Sequence, residues 1–339
     1  MLKKLLLFTV LAWPVTAWLQ TGGTYGFQFL NSHYSARQLG LGDLLCISDG
    51  DLQSVWYNPA SLTKECHNKV LVGQTLLAGG INTGALNYGR TIGNYNSSAH
   101  FRYIAYGKMN RTDINGTDLG SFSPGDFIFG ASASRAINER MSIGATLNLL
   151  YSQLDQYTAF GGAIDVGGIY RDDAKRIVVA GVIKNLGAQF KGYTESRYPL
   201  PLEVQLGISH KLKHAPFRFT LVGTNLQKWD LSYVDPNAKD EIDPLTGDTI
   251  KVQKAGFFEK LGRHALIQTE LLMGKKFHLR VAFDYQRRRE LAVTNRPGLA
   301  GFSFGAGLYL KRFSVDYGWM IYSSAGSQHG ISLTIPLKN

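Results

Sequence analysis

The chain has 339 residues, including 38 glycines, 17 tyrosines, 18 phenylalanines and 2 cysteines, and its formal net charge is +11. After the N-terminus no apolar run reaches the roughly 18–20 residues that a membrane-spanning helix needs, which excludes a polytopic helical membrane protein. The two cysteines exclude a disulfide-stapled miniprotein, and the excess of glycine and aromatic residues favours a single large all-β unit.

Residues 1–17 have the three parts of a secretory signal peptide. Lys3 and Lys4 form a basic start, residues 5–12 supply most of an apolar centre, and residues 15–17 are small enough for cleavage after Ala17. We therefore expect an exported protein. The alternative, a retained membrane anchor, is disfavoured because the segment is short and Pro14 interrupts it.

Residues 18–69 contain turn signals and no continuous membrane strand. Glycines cluster at 22–26, and an Asn-Pro pair stands at Asn58 and Pro59. We expect this segment to form an N-terminal plug inside the lumen of a barrel built from residues 70–339. In an oxidising compartment Cys46 and Cys66 either form a disulfide or remain two buried thiols.

From about residue 70 onward, apolar residues alternate with polar or small ones at the period of two that a strand imposes. Between 277 and 286 the odd positions are apolar, and between 313 and 321 the same holds. Several runs last ten residues or more, which suits a tilted membrane strand better than the shorter strands of a secreted sandwich. Small and polar residues on one face suit a wet lumen, and aromatic and aliphatic residues on the other suit lipid.

The pattern predicts a transmembrane antiparallel β-barrel of about 14 strands. These strands are expected to start near residues 70, 83, 97, 125, 140, 158, 176, 202, 216, 263, 276, 299, 312 and 327. Short connections at 137–140, 171–175, 213–216, 274–276 and 310–312 alternate with longer ones at 108–125, 190–201, 227–262 and 287–298. Because outer-membrane barrels have short periplasmic turns and long external loops, we expect an outer-membrane protein of a Gram-negative bacterium with its loops facing the cell exterior.

Two motifs in the N-terminal segment carry a family resemblance. Residues 35–42 (Ser-Ala-Arg-Gln-Leu-Gly-Leu-Gly) and residues 56–62 (Trp-Tyr-Asn-Pro-Ala-Ser-Leu) resemble the fatty-acid-transporter-like barrel superfamily. Within it, residues 23–30 ahead of Ser35 are most similar to the PorV/PorQ group of outer-membrane proteins of the type IX secretion system. In this family Asn58, Pro59 and Ala60 form the plug motif.

The resemblance implies a non-enzymatic protein without a cofactor that anchors a cell-surface attachment complex. Its partners would be a PorZ-like surface protein held by the external loops, together with PorU-like and PorV-like components, outer-membrane lipid and lipopolysaccharide. The alternative is a fatty-acid-transporter-like barrel that moves hydrophobic compounds across the outer membrane. A structural barrel without a specific partner is a third possibility.

No catalytic constellation is visible, since the eight histidines lack metal-ligand spacing and no phosphate loop or nucleophile elbow is present. Charges on predicted inward faces should brace the plug by ion pairs, because buried charges need partners. These lumen charges are Arg102, Asp165, Lys184, Arg280, Asp284, Arg312 and Asp316. We also expect a barrel that is closed to bulk solutes.

The long loops hold the remaining candidates. Aromatic residues that could anchor a protein partner are Tyr193, Tyr198, Trp229, Tyr233, Phe257 and Phe258. Basic residues that could meet lipopolysaccharide phosphates, or simply be solvated, are Lys191, Arg197, Arg287, Arg288, Arg289 and Arg296. Weak candidates for calcium, for which a solvated acidic loop is favoured, are Asp235, Asp240, Asp243 and Asp248. Nucleic-acid binding is not expected, because the positive charge is dispersed and the chain is exported.

Overall fold

The computed structural model describes residues 25–42, 50–233, 241–242, 249–250, 255–291, 298–323 and 326–337. The predicted signal peptide, residues 1–17, lies outside these ranges.

The structure is built mainly from antiparallel strands. In chain order the strands are β1 (Lys69–Leu76), β2 (Asn82–Ile92), β3 (Tyr95–Ala105), β4 (Met109–Thr112), β5 (Asp118–Phe122), β6 (Gly125–Ala136), β7 (Met141–Leu154), β8 (Tyr157–Asp172), β9 (Ile177–Lys191), β10 (Glu203–Lys211), β11 (Phe217–Gly223), β12 (Glu241–Ile242), β13 (Thr249–Ile250), β14 (Ala265–Met273), β15 (Phe277–Asp284), β16 (Phe302–Tyr309), β17 (Ser314–Ser323) and β18 (Gly326–Pro336). The pairs β4–β5 and β12–β13 are separate two-stranded sheets, and the other fourteen strands form a closed barrel.

The barrel closes where its first and last strands pair. Lys69 lies opposite Pro336 and Leu76 opposite His329, and β1 pairs with β2 on its other side. The prediction of 14 antiparallel strands is confirmed, and each strand begins within three residues of its predicted start. Two strand ends differ from the prediction. The predicted alternation continues to residue 286, but β15 stops at Asp284 and a helix follows; the predicted start near 312 is replaced by a start of β17 at Ser314.

Side chains alternate across the barrel wall as the period of two requires. In β7 the outward Leu147 and Leu149 are about half exposed, whereas the inward Asn148 and Leu150 are fully buried. Outward aromatic rings also pack on neighbouring strands, as Phe101 and Phe129 do with ring centroids 4.8 Å apart. The outer surface is therefore apolar, as a lipid-facing wall must be.

The two ends of the barrel differ in the length of their connections. We call the end that holds the connections at 93–94, 137–140, 173–176, 212–216, 274–276 and 310–313 the turn end. The opposite end, the loop end, holds the longer connections 106–124, 192–202, 224–264 and 285–301, together with three short ones at 77–81, 155–156 and 324–325. The predicted alternation therefore holds for the four longest connections.

Within the described residues, three short α-helices accompany the barrel, together with 3-10 turns at Gln28–Asn31, Leu52–Ser54, Pro59–Ser61, Lys64–Cys66 and Ala78–Gly80. The α-helices are α1 (Ala36–Leu41), α2 (Phe257–Arg263) and α3 (Tyr285–Leu291). The Ser35 side chain accepts a hydrogen bond from the Gln38 N–H at the start of α1, and Gly42 ends it with a φ of 79°. Within the described ranges, no helix has the length and apolar character needed to traverse a bilayer.

Candidate functional site: the filled lumen

Residues 25–42 and 50–68, which we call the lumen segment, are enclosed by the barrel. Inward side chains from strands all around the wall hydrogen-bond to its backbone, which places the segment inside. These bonds are Thr83 Oγ1 to His33 O at 2.7 Å, Ala36 N to Ser332 Oγ at 2.9 Å, Gln268 Nε2 to Leu41 O at 2.8 Å, Asn87 Nδ2 to Leu52 O at 3.1 Å and Ser142 Oγ to Ala60 O at 3.0 Å.

Helix α1 lies against glycines of the wall. A Cβ added to Gly40 would stand 2.8 Å from the Gly305 Cα in β16, and Gly318 in β17 is equally crowded by the helix backbone. The absence of side chains at these positions allows the helix and the strands to approach backbone to backbone.

The Asn-Pro-Ala motif occupies a similar site on the opposite wall. The Asn58 Oδ1 accepts a hydrogen bond from Ala60 N at 3.0 Å, which starts a short 3-10 turn over Pro59–Ser61. The Asn58 Nδ2 donates to the backbone oxygens of Gly168 and Gly181, each at 3.4 Å. The motif therefore orders its own turn and attaches it to β8 and β9.

A network of buried ion pairs joins the lumen segment to β11, β14, β15 and β17. It contains three arginines and three carboxylates, and each of these six side chains is at most one-tenth exposed. The pairs are Arg37–Asp51 at 3.1 Å, Arg37–Glu270 at 3.4 Å, Arg218–Glu270 at 3.0 Å, Arg280–Glu270 at 3.3 Å and Arg280–Asp316 at 2.6 Å. Equal numbers of opposite charges let the network remain buried without a net charge.

A second polar group lies on β3, β7, β8 and β9. Arg102 donates to Asn148 Oδ1 at 3.1 Å, and Asn148 in turn donates to Asp165 at 2.9 Å. The Arg102 guanidinium also lies over the rings of Tyr34 at 5.1 Å and Trp56 at 5.8 Å, so it attaches the lumen segment through cation–π contacts. On the neighbouring strands Lys184 pairs with Glu203 in β10 at 3.4 Å.

The structure places five of the seven predicted lumen charges on the buried inward face: Arg102, Asp165, Lys184, Arg280 and Asp316. Asp284 lies at the end of β15, where it pairs with Arg287 at 3.3 Å. The prediction for Arg312 is wrong, because β17 begins two residues later and Arg312 is exposed in the turn.

Sequence reasoning missed four of the six residues of the first network: Arg37, Asp51, Glu270 and Arg218. Glu270 had a usable signal, since it is the one charged residue in the run 265–273. Arg37 and Asp51 had none, because the segment that carries them has no regular period.

Near the loop end the inward face carries a group of apolar side chains. Ile104, Ile128, Leu150, Val222 and Leu266, which we call the apolar ring, face inward and belong to one buried apolar cluster with the lumen segment. The lumen segment contributes Phe27, Phe29 and Leu30 to that cluster. The apolar ring therefore lies between the ion-pair network, which is nearer the turn end, and a polar group at the loop-end rim that includes Asp126 and Ser152.

The predicted partner-binding aromatics divide into two sets at the loop end. Trp229 and Phe257 pack together with ring centroids 5.5 Å apart, Phe258 packs on Phe257 at 5.5 Å, and His264 stacks on Trp229 at 5.7 Å. Phe258 is 84% exposed. Tyr193 and Tyr198 lie apart from this group in the 192–202 connection, and the exposed Tyr233 follows Trp229 along the chain.

Salt bridges hold the Trp229 group in place. Lys260 bonds to Asp230 at 2.5 Å, and Glu259 accepts from Arg263 at 3.0 Å and from Arg289 at 2.8 Å. Because these cations donate hydrogen bonds to the carboxylates, the pKa values of Asp230 and Glu259 are both lowered.

The predicted lipopolysaccharide-facing cations make contacts within the protein. Arg287, Arg288 and Arg289 lie on α3, where Arg287 pairs with Asp284 and Arg288 donates to Gly298 O at 2.7 Å. Lys191 donates to Thr158 Oγ1 at 2.8 Å, and Arg197 is exposed. Their contact with lipopolysaccharide remains a prediction, and Arg296 lies outside the described residues.

The calcium and disulfide predictions fall partly outside the described ranges. Asp235, Asp240, Asp243, Asp248 and Cys46 are not in them, and Cys66 is buried in the lumen segment. In the part of the chain that the structure describes, no group of three or more His, Cys, Asp or Glu side chains is placed to hold a metal ion.

Comparison with known proteins gives a clear result for the fold. No protein-family model and no curated protein sequence matches the chain. Among solved structures, the Pseudomonas putida toluene transporter TodX matches with a TM-score of 0.55 and 12% identity over 89% of this chain and 97% of that one. A TodX mutant described as a monoaromatic hydrocarbon channel matches at 0.52 and 11%, over 90% of this chain and 99% of that one.

A Pseudomonas aeruginosa FadL homologue matches with a TM-score of 0.49 and 11% identity, over 90% of this chain and 98% of that one. The chain therefore shares the fold of the toluene transporter TodX over 89% of its length.

Proposed function

We propose that this protein is an outer-membrane barrel, with its loop end facing the cell exterior, that carries small hydrophobic compounds into the lumen from the loop end. The observation that carries the proposal is the apolar ring, on a fold shared with a toluene transporter. The ring is at the end of the lumen that an external compound would reach first. An inward apolar surface suits an apolar ligand, because transfer out of water is favourable roughly in proportion to the apolar area buried.

The lumen segment acts in this proposal as a plug. Phe27, Phe29 and Leu30 pack in the same apolar cluster as the ring. An entering compound must therefore displace these side chains and replace their contacts with the ring. The charged network beyond the ring is a poor lining for an apolar ligand. Passage through the barrel therefore requires the lumen segment to move, and the ion pairs of Arg37 set the resistance to that movement.

Uptake by cells tests the proposal. Bacteria that express the protein in a lipopolysaccharide-bearing outer membrane should accumulate a radiolabelled monoaromatic hydrocarbon faster than cells without it. Leu150→Asn, inside the ring, should abolish the gain, and Ser132→Asn, on an inward face near the turn end, should leave it intact. Equal uptake with and without the protein would refute transport of this class of compound.

A second candidate function is favoured by the exposed Trp229 group. We infer from its rings and from the neighbouring Arg289 that the loop end could hold a protein partner, because aromatic residues and arginine concentrate binding energy. In this reading the barrel is the non-enzymatic anchor of a type IX secretion attachment complex with PorZ-like, PorU-like and PorV-like partners. A lumen that is filled by the lumen segment and its ion pairs suits an anchor, because an anchor does not need an open route through the barrel.

Isolation from native membranes separates the two functions. An anchor should co-purify with a surface protein in equal amount, and Phe258→Ser should remove that protein, whereas Phe313→Ser at the turn end should not. A transporter should be isolated without such a partner, and uptake should be insensitive to Phe258→Ser.

A further inference from the structure

The structure contains a cavity of about 1090 Å³ that neither proposed function uses. It lies at the turn end, between the Lys64–Cys66 turn of the lumen segment and the wall from β3 to β14. No residue of β15, β16, β17, β18, β1 or β2 lines it, so it is displaced to one side of the mouth.

Basic side chains dominate the lining of this turn-end cavity. Six of them are Lys64, Arg135, Arg171, Arg176, Lys211 and Lys275. A seventh, Arg218, pairs with Glu270 at 3.0 Å. Two of the six also make contacts within the protein, since Arg135 lies over the Tyr95 ring at 5.5 Å and Arg176 donates to Leu212 O at 3.3 Å. The acidic side chains in the lining are Glu65, Asp172 and Asp173, and Asp172 has an ion-pair partner outside the cavity in Lys175 at 4.0 Å.

The concave shape makes this excess of positive charge effective. A cleft with low-dielectric walls and charges of one sign focuses the field and concentrates counter-ions of the opposite sign. Arginine suits phosphate in particular, since its planar fork donates two parallel hydrogen bonds to oxygens of one group. A phosphate group also offers more oxygens and more charge than a carboxylate, which matches several cations that surround one space.

Apolar side chains share the lining with these cations. Leu62 comes from the lumen segment, and Ile177 and Val178 come from the start of β9. A ligand with a phosphate next to an apolar part would satisfy both kinds of surface. Two sources could supply it: the head group of a phospholipid in the leaflet at the turn end, or a soluble phosphorylated compound.

We propose that the turn-end cavity is a binding site for a phosphate-bearing ligand. The proposal needs only the barrel and its cavity, so it stands apart from transport and from anchoring. It assigns five cations to recognition of the phosphate oxygens and the apolar strip to the remainder of the ligand. These cations are Lys64, Arg171, Arg176, Lys211 and Lys275.

The test uses the purified full-length protein in a zwitterionic detergent and two sets of variants. The cavity set is Lys64→Gln, Lys211→Gln and Lys275→Gln combined, three exposed lysines in the lining. The matched control is Lys213→Gln, Lys276→Gln and Lys311→Gln combined, which removes the same charge at the same end from residues outside the lining. Circular dichroism establishes that both variants are folded.

Inorganic pyrophosphate is the soluble probe, measured by titration calorimetry at 50 mM and 200 mM salt, and dioleoylphosphatidylglycerol retained in native mass spectrometry is the lipid probe. We expect at least one probe to bind the wild type. Its affinity should fall tenfold or more in the cavity set and less than twofold in the control. The probe that binds identifies the source.

Three results would overturn the proposal. They are no binding of either probe to the wild type, equal losses in the two variants, or citrate competing as strongly as pyrophosphate, which would indicate a carboxylate site.

Discussion

Gly40 of α1 and Gly305 of β16 face each other so closely that a single added carbon on Gly40 would stand 2.8 Å from the Gly305 Cα. This contact joins the lumen segment to the barrel wall at a point where neither residue has a side chain. The fit between segment and wall therefore depends on backbone approach as well as on ion pairs.

Gly40→Ala tests this contact directly. Alanine normally favours a helix over glycine by roughly 0.5–1 kcal/mol, but here we expect a net destabilisation of about 1–3 kcal/mol from overpacking. Hydrogen exchange of residues 36–41 should accelerate. The control is Gly256→Ala, where an added carbon meets nothing within 4 Å. Unchanged exchange in Gly40→Ala would show that the helix can shift without cost.

The buried network should be much more sensitive to loss of a charge than the surface is. In the wild type Arg280 lies 3.3 Å from Glu270 and 2.6 Å from Asp316. Arg280→Met removes this cation from both carboxylates, and we expect the free energy of unfolding to fall by about 3–5 kcal/mol. Lys175→Met removes an exposed lysine that pairs with Asp172 at 4.0 Å, and it should lower the free energy of unfolding by less than about 1 kcal/mol. Urea unfolding in detergent measures both, and similar midpoints would contradict a structural role for the network.

The filled lumen should be closed to ions. Purified wild-type protein in a planar bilayer should show no steady open conductance, because the segment and its hydrogen bonds to β2, β7, β14 and β18 occupy the interior. Deletion of residues 25–68 should produce conducting channels if the barrel still assembles, which heat-modifiable gel migration checks. Steady wild-type conductance would show that an open path bypasses the segment.

Asn185 should resist substitution by a β-branched residue. It has a φ of 60° at an irregularity of the β8–β9 pairing, its N–H donates to Asp165 Oδ1 at 2.7 Å, and its Nδ2 donates to Pro201 O at 2.9 Å. Asn185→Val should destabilise the barrel by about 1–3 kcal/mol from backbone strain alone. Asn185→Gly, which removes the strain but also the side-chain bonds, should be less harmful. The reverse order of unfolding midpoints would show that the side-chain bonds dominate.

The contacts around α2 should weaken in acid. The folded pKa of Glu259 is below its ordinary value of 4.5, so the ion pairs with Arg263 and Arg289 contribute stability above that value and lose it as the pH falls through the folded pKa. Asp230, whose pKa is also lowered, acts in the same direction. Hydrogen-exchange protection of residues 257–263, corrected for intrinsic rates, should fall below about pH 4.5.

Glu259→Gln is the control for this acid effect. This variant should lower the hydrogen-exchange protection of residues 257–263 at neutral pH, and that protection should then vary less with pH. An unchanged dependence in the variant would assign the effect to another group.

The sequence by itself determined the wall of this protein. The alternation at every strand and the distribution of short connections are local properties, and a period of two has only one structural meaning when it lasts for ten residues. It also indicated Arg280 and Asp316 as inward charges, because each lies on a regular strand.

Only the tertiary structure decided what fills the barrel. Arg37 meets Glu270 across 233 positions of sequence, and Asn58 reaches backbone oxygens more than 100 positions away. Such contacts depend on how an irregular segment folds within a closed wall, which no local period encodes. For the same reason the sequence does not distinguish Lys275 from Lys276. The two lysines are adjacent in one turn, but only Lys275 lines the cavity that forms when the barrel closes.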